Sequence, residues 1–207
     1  FLKGIREHFN KDSWVIHDMC DHLKPLPFAD KEFDFVVCGH FLEDVRAPLV
    51  VLQELMRVAK RGYIEVPSRF VEQLRWVEHR KLCGHGHHRW FVDYRRGAGG
   101  AGELAFVNKN QLLQVEGKYQ LGRWRAALPL RALKPRLNVN YEFTGMYFNG
   151  PFEAYEDVRA AVSDSHEFML ETVAKADALG KTLWDRSAPL PVAANREALF
   201  ALKPGLY

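Results

Sequence analysis

Residues 83–88 bring together side chains that can bind a metal ion or move a proton. The segment reads Cys83-Gly84-His85-Gly86-His87-His88. Thiolate and imidazole groups are ligands for zinc and other transition metals. Four ligands so close in sequence strain a tetrahedral site, and no second cluster in the sequence completes it. We therefore assign no metal ligand, and we keep a metal-binding protein or a metal-dependent hydrolase that uses this cluster as an alternative.

The other interpretation of residues 83–88 is a loop packed over a ligand crevice. In that arrangement His87, His88 and Trp90 contact a substrate or anchor the strand that follows them. We assign these three residues to substrate binding.

Further polar residues follow two predicted strands. Residues 14–16 are a short apolar run, and residues 33–38 are apolar on both faces, as in a covered parallel strand. Open parallel sheets bind ligands outside the carboxyl ends of their strands. The sequence therefore predicts one crevice lined by the residues at those ends: Asp18, Met19, Asp21, Cys38, Gly39 and His40.

The predicted helices and strands that must position these residues indicate an α/β fold. The pattern predicts a helix over residues 48–60 and a strand over 63–66, which with residues 33–38 form a βαβ unit. A second helix is expected over 70–79, with Ser68 as its cap. Glu43 and Asp44 are interpreted as first-turn residues of a helix, where carboxylates favour the positive dipole end.

The second half of the chain changes character. Residues 90–94 and 104–107 predict an antiparallel hairpin, and the glycine-rich stretch 97–102 is its turn rather than a phosphate loop, because a strand follows it. A strand is expected over 140–148 and a long helix over 152–179, ending at Gly180.

Composition limits the class of protein. The 207 residues are 47% hydrophobic and 27% charged, with a formal net charge of +3, which is typical of one globular domain and not of a nucleic-acid-binding protein. Residues 1–82 would form a partial core, and residues 83–207 a hairpin, lid and C-terminal helix. Three cysteines favour a reducing, cytoplasmic setting, and we expect no membrane span because no apolar run is long enough.

An ordered set of motifs carries a resemblance to a known family. Residues 14–18, 26–36, 40–45, 54–58 and 62–68 read WVIHD, LPFADKEFDFV, HFLEDV, ELMRV and GYIEVPS. In this order they resemble class I S-adenosylmethionine-dependent methyltransferases of the small-molecule type, over residues 14–69. The resemblance implies a Rossmann-like core, S-adenosylmethionine as cofactor and methyl transfer to a small-molecule acceptor.

The same resemblance implies roles for the crevice residues. Asp18 would accept a hydrogen bond from the adenine amino group and the Met19 amide would read a ring nitrogen, with Asp21 as a competing choice for the acidic residue. Residues 38–40 would lie beside the methionyl part of the cofactor, and His40 would orient or deprotonate the acceptor.

The sequence departs from the family before Trp14. The family's glycine-rich first turn and the acidic residue that holds the ribose have no room there. We expect the chain to be a fragment of a longer protein. The other interpretation is that it is a degenerate relative of the family. A non-catalytic binding protein with a degenerate methyltransferase fold is therefore the alternative function. The acceptor, the oligomeric state and the catalytic residues stay open.

Overall fold

The computed structural model describes residues 11–19, 21, 24–75, 77–79, 81–96, 102–110, 114–115, 117–121, 143–158 and 165–184. The strands of this part of the chain are β1 Val36–Gly39, β2 Arg61–Pro67, β3 Trp90–Arg96, β4 Gly102–Asn108, β5 Phe143–Asn149 and β6 Glu153–Glu156. The helices are α1 Pro48–Val58, α2 Arg69–Gln73 and α3 Ser165–Trp184, with 3-10 turns at Lys11–Ser13 and Gly117–Tyr119.

The predicted βαβ unit is confirmed. Strands β1 and β2 pair in parallel from Val36↔Gly62 to Gly39↔Glu65, and α1 connects them. Pro48 begins the helix, where its missing N–H costs nothing. One stripe of α1 is buried and packs the helix on the sheet: Val51, Leu52, Leu55 and Val58. The carboxyl end of β1 is thereby fixed, and with it the polar residues that follow.

Two small sheets complete the described part of the fold. Strand β5 pairs antiparallel with β2, which gives the order β1-β2-β5, and the expected strand over 140–148 is confirmed from Phe143 onward. The second sheet has the order β3-β4-β6. Its hairpin is confirmed, with β3 antiparallel to β4, while residues 97–101 of the predicted turn lie outside the described residues.

A shared core joins the two sheets. Ile64 and Val66 of β2 belong to the same buried cluster as Trp90 and Val92 of β3 and Phe106 of β4. Side chains of this kind contribute about 1.5–3 kcal/mol each when fully buried. The core therefore places the segment that follows β1 next to the segment that precedes β3.

The prediction of a first strand over residues 14–16 is wrong. These residues follow the 3-10 turn in irregular backbone, and Trp14, Val15 and Ile16 are 60%, 46% and 91% exposed. A strand needs a neighbour to satisfy its backbone N–H and C=O groups. Within the described ranges β1 pairs with β2 alone, so residues 14–17 do not extend the parallel sheet. Over the described residues the fold is mixed α/β with one parallel βαβ unit, and these residues do not form a full Rossmann-like sheet.

The second predicted helix is confirmed at its start and is shorter than expected. The Ser68 side chain accepts a hydrogen bond from the Val71 N–H, as a helix cap does. The helix ends at Gln73 because the next two residues form β-bridges instead, Leu74 with Leu121 and Arg75 with Cys83.

The predicted long helix is confirmed over Ser165–Trp184, where it ends later than predicted, and is wrong over residues 153–156, while residues 159–164 lie outside the described residues. Residues Glu153–Glu156 form β6 and pair in parallel with β4, so tertiary pairing overrides the helical pattern there. The helix α3 runs from Ser165 through Gly180 to Trp184. A glycine inside a helix costs only about 1 kcal/mol, which packing offsets. The buried side chains are Phe168, Met169 and Thr172, whereas Val158 is exposed.

Two of the three cysteines lie in the described residues, and both are buried free thiols. Burial raises the pKa of Cys38 to about 12 and that of Cys83 to about 11. Cys20 lies outside the described residues. Among the helices of the described part, none is long and apolar enough to cross a bilayer.

Candidate functional site

Arg57 and Glu54 of α1 hold the segment before β1 against the helix. Arg57 donates from Nη1 to the Phe28 carbonyl at 2.8 Å and from Nη2 to the Leu26 carbonyl at 3.0 Å. Glu54 pairs with the Arg57 Nε at 2.8 Å and accepts from the Leu26 N–H at 2.7 Å. Hydrogen bonds to Arg57 are the main reason that the pKa of Glu54 lies below its usual range. Residues 54 and 57 thus position residues 24–30.

We expect Arg57→Lys to destabilise the protein by about 1–3 kcal/mol. Lysine keeps the charge but lacks the planar fork that reaches two carbonyls and the carboxylates of Glu54 and Asp30 at once, which leaves polar groups unpaired. Urea unfolding of the variant and the wild type measures the difference. Arg61→Lys, on an exposed arginine at the start of β2, is the matched control and should change stability by less than about 0.5 kcal/mol. Equal effects of the two substitutions would contradict the assigned role.

A cavity of about 220 Å³ opens between this segment and α1. It is lined by two of the predicted crevice residues, Met19 and Asp21. The remaining lining residues are His17, Lys24, Pro25, Leu26, Val50, Val51, Gln53 and Glu54. Asp18 is exposed and does not line it.

The lining has the chemistry that an adenine ring requires. Leu26, Val50 and Val51 offer apolar surface, and Asp21 offers a carboxylate on the rim, where it pairs with Lys24 at 3.0 Å. Ligand pockets combine apolar walls with a few polar groups in this way. At Gly39 an added Cβ would meet nothing within 4 Å, so the backbone there is open to close approach. The residues present therefore fit the adenosine part of S-adenosylmethionine.

His40 lies between two carboxylates at the end of β1. Its Nε2 is 3.2 Å from Glu65 Oε1 and its Nδ1 is 3.7 Å from Glu43 Oε1, and its ring meets Phe143 edge-on. The backbone of His40 has φ 52°, a left-handed conformation that is uncommon outside glycine. Strain of this kind clusters at functional sites. Both carboxylates can orient the imidazole ring.

Glu43 is not in the first turn of a helix, so that interpretation is wrong. It lies in a turn before α1, and its side chain is buried. Burial raises the pKa of Glu43, and neither carboxylate oxygen has a hydrogen-bond partner among the described residues. Its carbonyl accepts from the Arg89 N–H at 2.7 Å and the Trp90 N–H at 3.3 Å. This turn therefore joins the end of β1 to the histidine-rich segment.

The histidines of residues 83–88 surround a carboxylate that sequence reasoning missed. Glu72 of α2 is buried, with its Oε1 3.0 Å from His85 Nδ1 and 2.8 Å from His88 Nδ1. The buried ammonium of Lys109 contacts its other oxygen. Burial opposes the charge on Glu72, but the bonds from the two histidines and Lys109 hold its pKa well below the usual range. Cys83 is not part of this cluster.

A second cavity, of about 480 Å³, brings the three predicted substrate residues together. His87, His88 and Trp90 line it with Arg46, Gly86, Arg89, Asn108, Lys109 and Gln114. Trp90 is fixed there because its Nε1 donates to the Val45 carbonyl at 2.8 Å.

The two cavities have no lining residue in common. Met19 and Asp21 line the smaller one, the predicted substrate residues line the larger one, and residues 38–40 line neither. The turn that contains Glu43 connects the two regions, because it packs against both His40 and the backbone of Arg89.

Comparison with known proteins gives one family. A model described as a methyltransferase domain matches residues 1–64. No curated protein and no solved structure matches the chain. The matched residues contain the lining of the smaller cavity, β1, α1 and the start of β2. The match confirms the resemblance to methyltransferases over these residues.

Proposed function

We propose that the smaller cavity binds the adenosine part of S-adenosylmethionine, and that the chain transfers its methyl group to a small-molecule acceptor. One observation carries the proposal: the segment with the methyltransferase match forms a cavity lined by two residues predicted to contact the cofactor. Leu26, Val50 and Val51 pack on the purine ring, and Asp21 accepts from its amino group.

Bound S-adenosylmethionine supplies an electrophilic methyl group, so the protein's task is positioning and exclusion of water rather than bond activation. His40 holds the acceptor by a hydrogen bond and receives its proton. Glu65, whose Oε1 lies 3.2 Å from His40 Nε2, orients the ring, and the buried Glu43 carboxylate lies 3.7 Å from Nδ1. Gly39 lets the ligand lie against the backbone.

We expect Asp21→Ala to weaken the binding of S-adenosylhomocysteine by roughly 5- to 150-fold. The substitution leaves a donor on the purine without its partner in a partly dry site, which costs about 1–3 kcal/mol. Isothermal calorimetry measures both affinities. Asp18→Ala removes a carboxylate three positions away that does not line the cavity, and it should change the affinity less than twofold.

A larger loss of affinity in Asp18→Ala than in Asp21→Ala would show that Asp18, and not Asp21, contacts the adenine amino group. Absence of binding to the wild type would overturn the cofactor proposal altogether. Binding of S-adenosylhomocysteine without product from a panel of hydroxyl, amine and thiol acceptors would favour the non-catalytic binding protein instead.

A further inference from the structure

One oxygen of Asp44 is buried and has no hydrogen-bond partner among the described residues. This atom, Oδ1, lies 3.7 Å from His88 Nε2 and 3.8 Å from His87 Nε2. Both distances are too long for a hydrogen bond. A buried carboxylate oxygen without a partner is costly, so its position between two imidazole nitrogens calls for an explanation.

Both imidazoles are held by carboxylates through their other nitrogen. His88 Nδ1 is 2.8 Å from Glu72 Oε1, and His87 Nδ1 is 3.1 Å from Glu78 Oε1. In metal sites, the ligating histidine usually donates its second N–H to a carboxylate, which fixes the tautomer and leaves a lone pair on the ligating nitrogen. Here that arrangement leaves the Nε2 of each ring facing Asp44.

The spacing suits a shared ion. One donor atom from each of Asp44, His87 and His88 lies within 4.8 Å of the others. Ligand atoms about 2.0–2.1 Å from a tetrahedral ion are roughly 3.3–3.4 Å apart. The two Asp44 contacts, at 3.7 and 3.8 Å, are within about half an ångström of that spacing. Residues 83–88 contain no carboxylate. Asp44, in the turn after β1, supplies one to the two histidines.

The neighbouring group of Glu72, His85 and His88 also brings three potential ligands together. It is occupied differently, because the Lys109 ammonium contacts Glu72 and donates to the His85 carbonyl at 2.8 Å. A cation already neutralises that carboxylate. The role of the Glu72 carboxylate is to orient the ring of His88.

We infer that Asp44, His87 and His88 bind a divalent transition metal ion such as Zn²⁺. Two histidines and one carboxylate are a ligand set that leaves coordination positions open. His87 and His88 line the larger cavity, so those positions can take water or an oxygen of a ligand there. The site is reachable, since the His87 side chain is 59% exposed while that of His88 is 7% exposed. The carboxylate of Glu78, which pairs with the His87 ring, adds negative charge beside it.

The test is calorimetric titration of the chelator-treated 207-residue chain with Zn²⁺, together with the visible spectrum of the Co²⁺ form. We expect one ion per chain and Co²⁺ absorption typical of nitrogen and oxygen ligands. His87→Gln and Asp44→Asn should each weaken Zn²⁺ binding by more than roughly 100-fold, and Glu78→Gln, which frees the ring of His87, by roughly 10- to 100-fold. All three side chains are partly exposed, so the variants should fold.

Two control variants separate this site from its neighbours. His17→Gln, at a histidine that contacts Lys24, should leave Zn²⁺ affinity unchanged. His85→Gln should lower it less than tenfold. No Zn²⁺ binding to the wild type, or equal affinity in wild type and His87→Gln, would overturn the inference. A loss in His85→Gln as large as that in His87→Gln would place the ion on Glu72 instead and would also overturn it.

Discussion

Glu72→Gln should destabilise the folded protein by about 3–5 kcal/mol. The substitution keeps the shape of the side chain but removes the charge that compensates the Lys109 ammonium, whose side chain is 0% exposed. Breaking a buried pair by neutralising one partner leaves an uncompensated buried charge, which costs about this amount. The amide keeps one acceptor oxygen, so its NH2 group must face either the Lys109 ammonium or the two imidazoles of His85 and His88, which are also donors. Urea unfolding at constant pH measures the change.

Two further variants show whether the charge is the cause. The double variant Glu72→Gln, Lys109→Met should recover a large part of the loss, because replacing both members of a buried pair is often close to neutral. Glu78→Gln removes an exposed carboxylate from the same region and should cost less than about 1 kcal/mol. A cost below about 1 kcal/mol for Glu72→Gln, or no recovery in the double variant, would contradict the assigned role of Glu72.

Gly84→Ala should cost about 2–4 kcal/mol. Gly84 has φ +62°, and a Cβ built there would lie 2.3 Å from the Glu72 carbonyl oxygen and 2.6 Å from the Glu72 Cα. The backbone conformation disfavours any L side chain, and backbone atoms of α2 cannot move away cheaply. The first turn of the histidine segment would therefore separate from Glu72. Thermal or urea unfolding measures the effect.

Gly86→Ala is the matched control in the same segment. Its added methyl would meet the Leu82 Cδ1 at 3.6 Å, an ordinary contact. We expect a change within about 1 kcal/mol, since alanine also restricts the unfolded chain. Similar costs for the two substitutions would show that the close approach of Gly84 to Glu72 does not matter for stability.

The parts of the fold that the sequence predicts are those with strong local signals. The helix α1 has a proline at its start and one apolar stripe, and Ser68 caps α2. The hairpin of β3 and β4 follows from alternation around a glycine-rich stretch. In each of these elements the local pattern and the tertiary packing agree.

The errors arise where a neighbouring element decides the local structure. Residues 14–16 have an apolar strand pattern but no partner strand in the described part of the chain. Residues 153–156 have a helical pattern but pair with β4. The histidine segment was recognised, yet its partners come from far along the chain: Glu72 is 16 residues from His88, and Lys109 is 37 residues from Glu72. Spacing in one sequence carries no signal for such contacts.

The resemblance and the structure contribute different parts of the candidate site. The motifs supplied the family and the acidic residues at positions 18 and 21, and the cavity lining favours Asp21 for the adenine contact. Glu54 and Arg57 lie in one of the quoted motifs, and the structure gives them a physical task, that of holding residues 24–30 on α1. The sequence analysis placed Glu43 and Asp44 in the first turn of a helix because of the helix dipole. Their roles in the structure depend instead on burial, which that reasoning does not predict.

The central claim is that the adenosine part of S-adenosylmethionine occupies the cavity between α1 and the segment before β1. Amide hydrogen exchange of the 207-residue chain, with and without saturating S-adenosylhomocysteine, tests it most directly. We predict slower exchange in residues 17–21, 24–26 and 38–40, and no change in β4, which belongs to the other sheet and contributes no residue to the cavity lining. Slower exchange confined to residues 85–90, or no change anywhere at saturating ligand, would contradict the account.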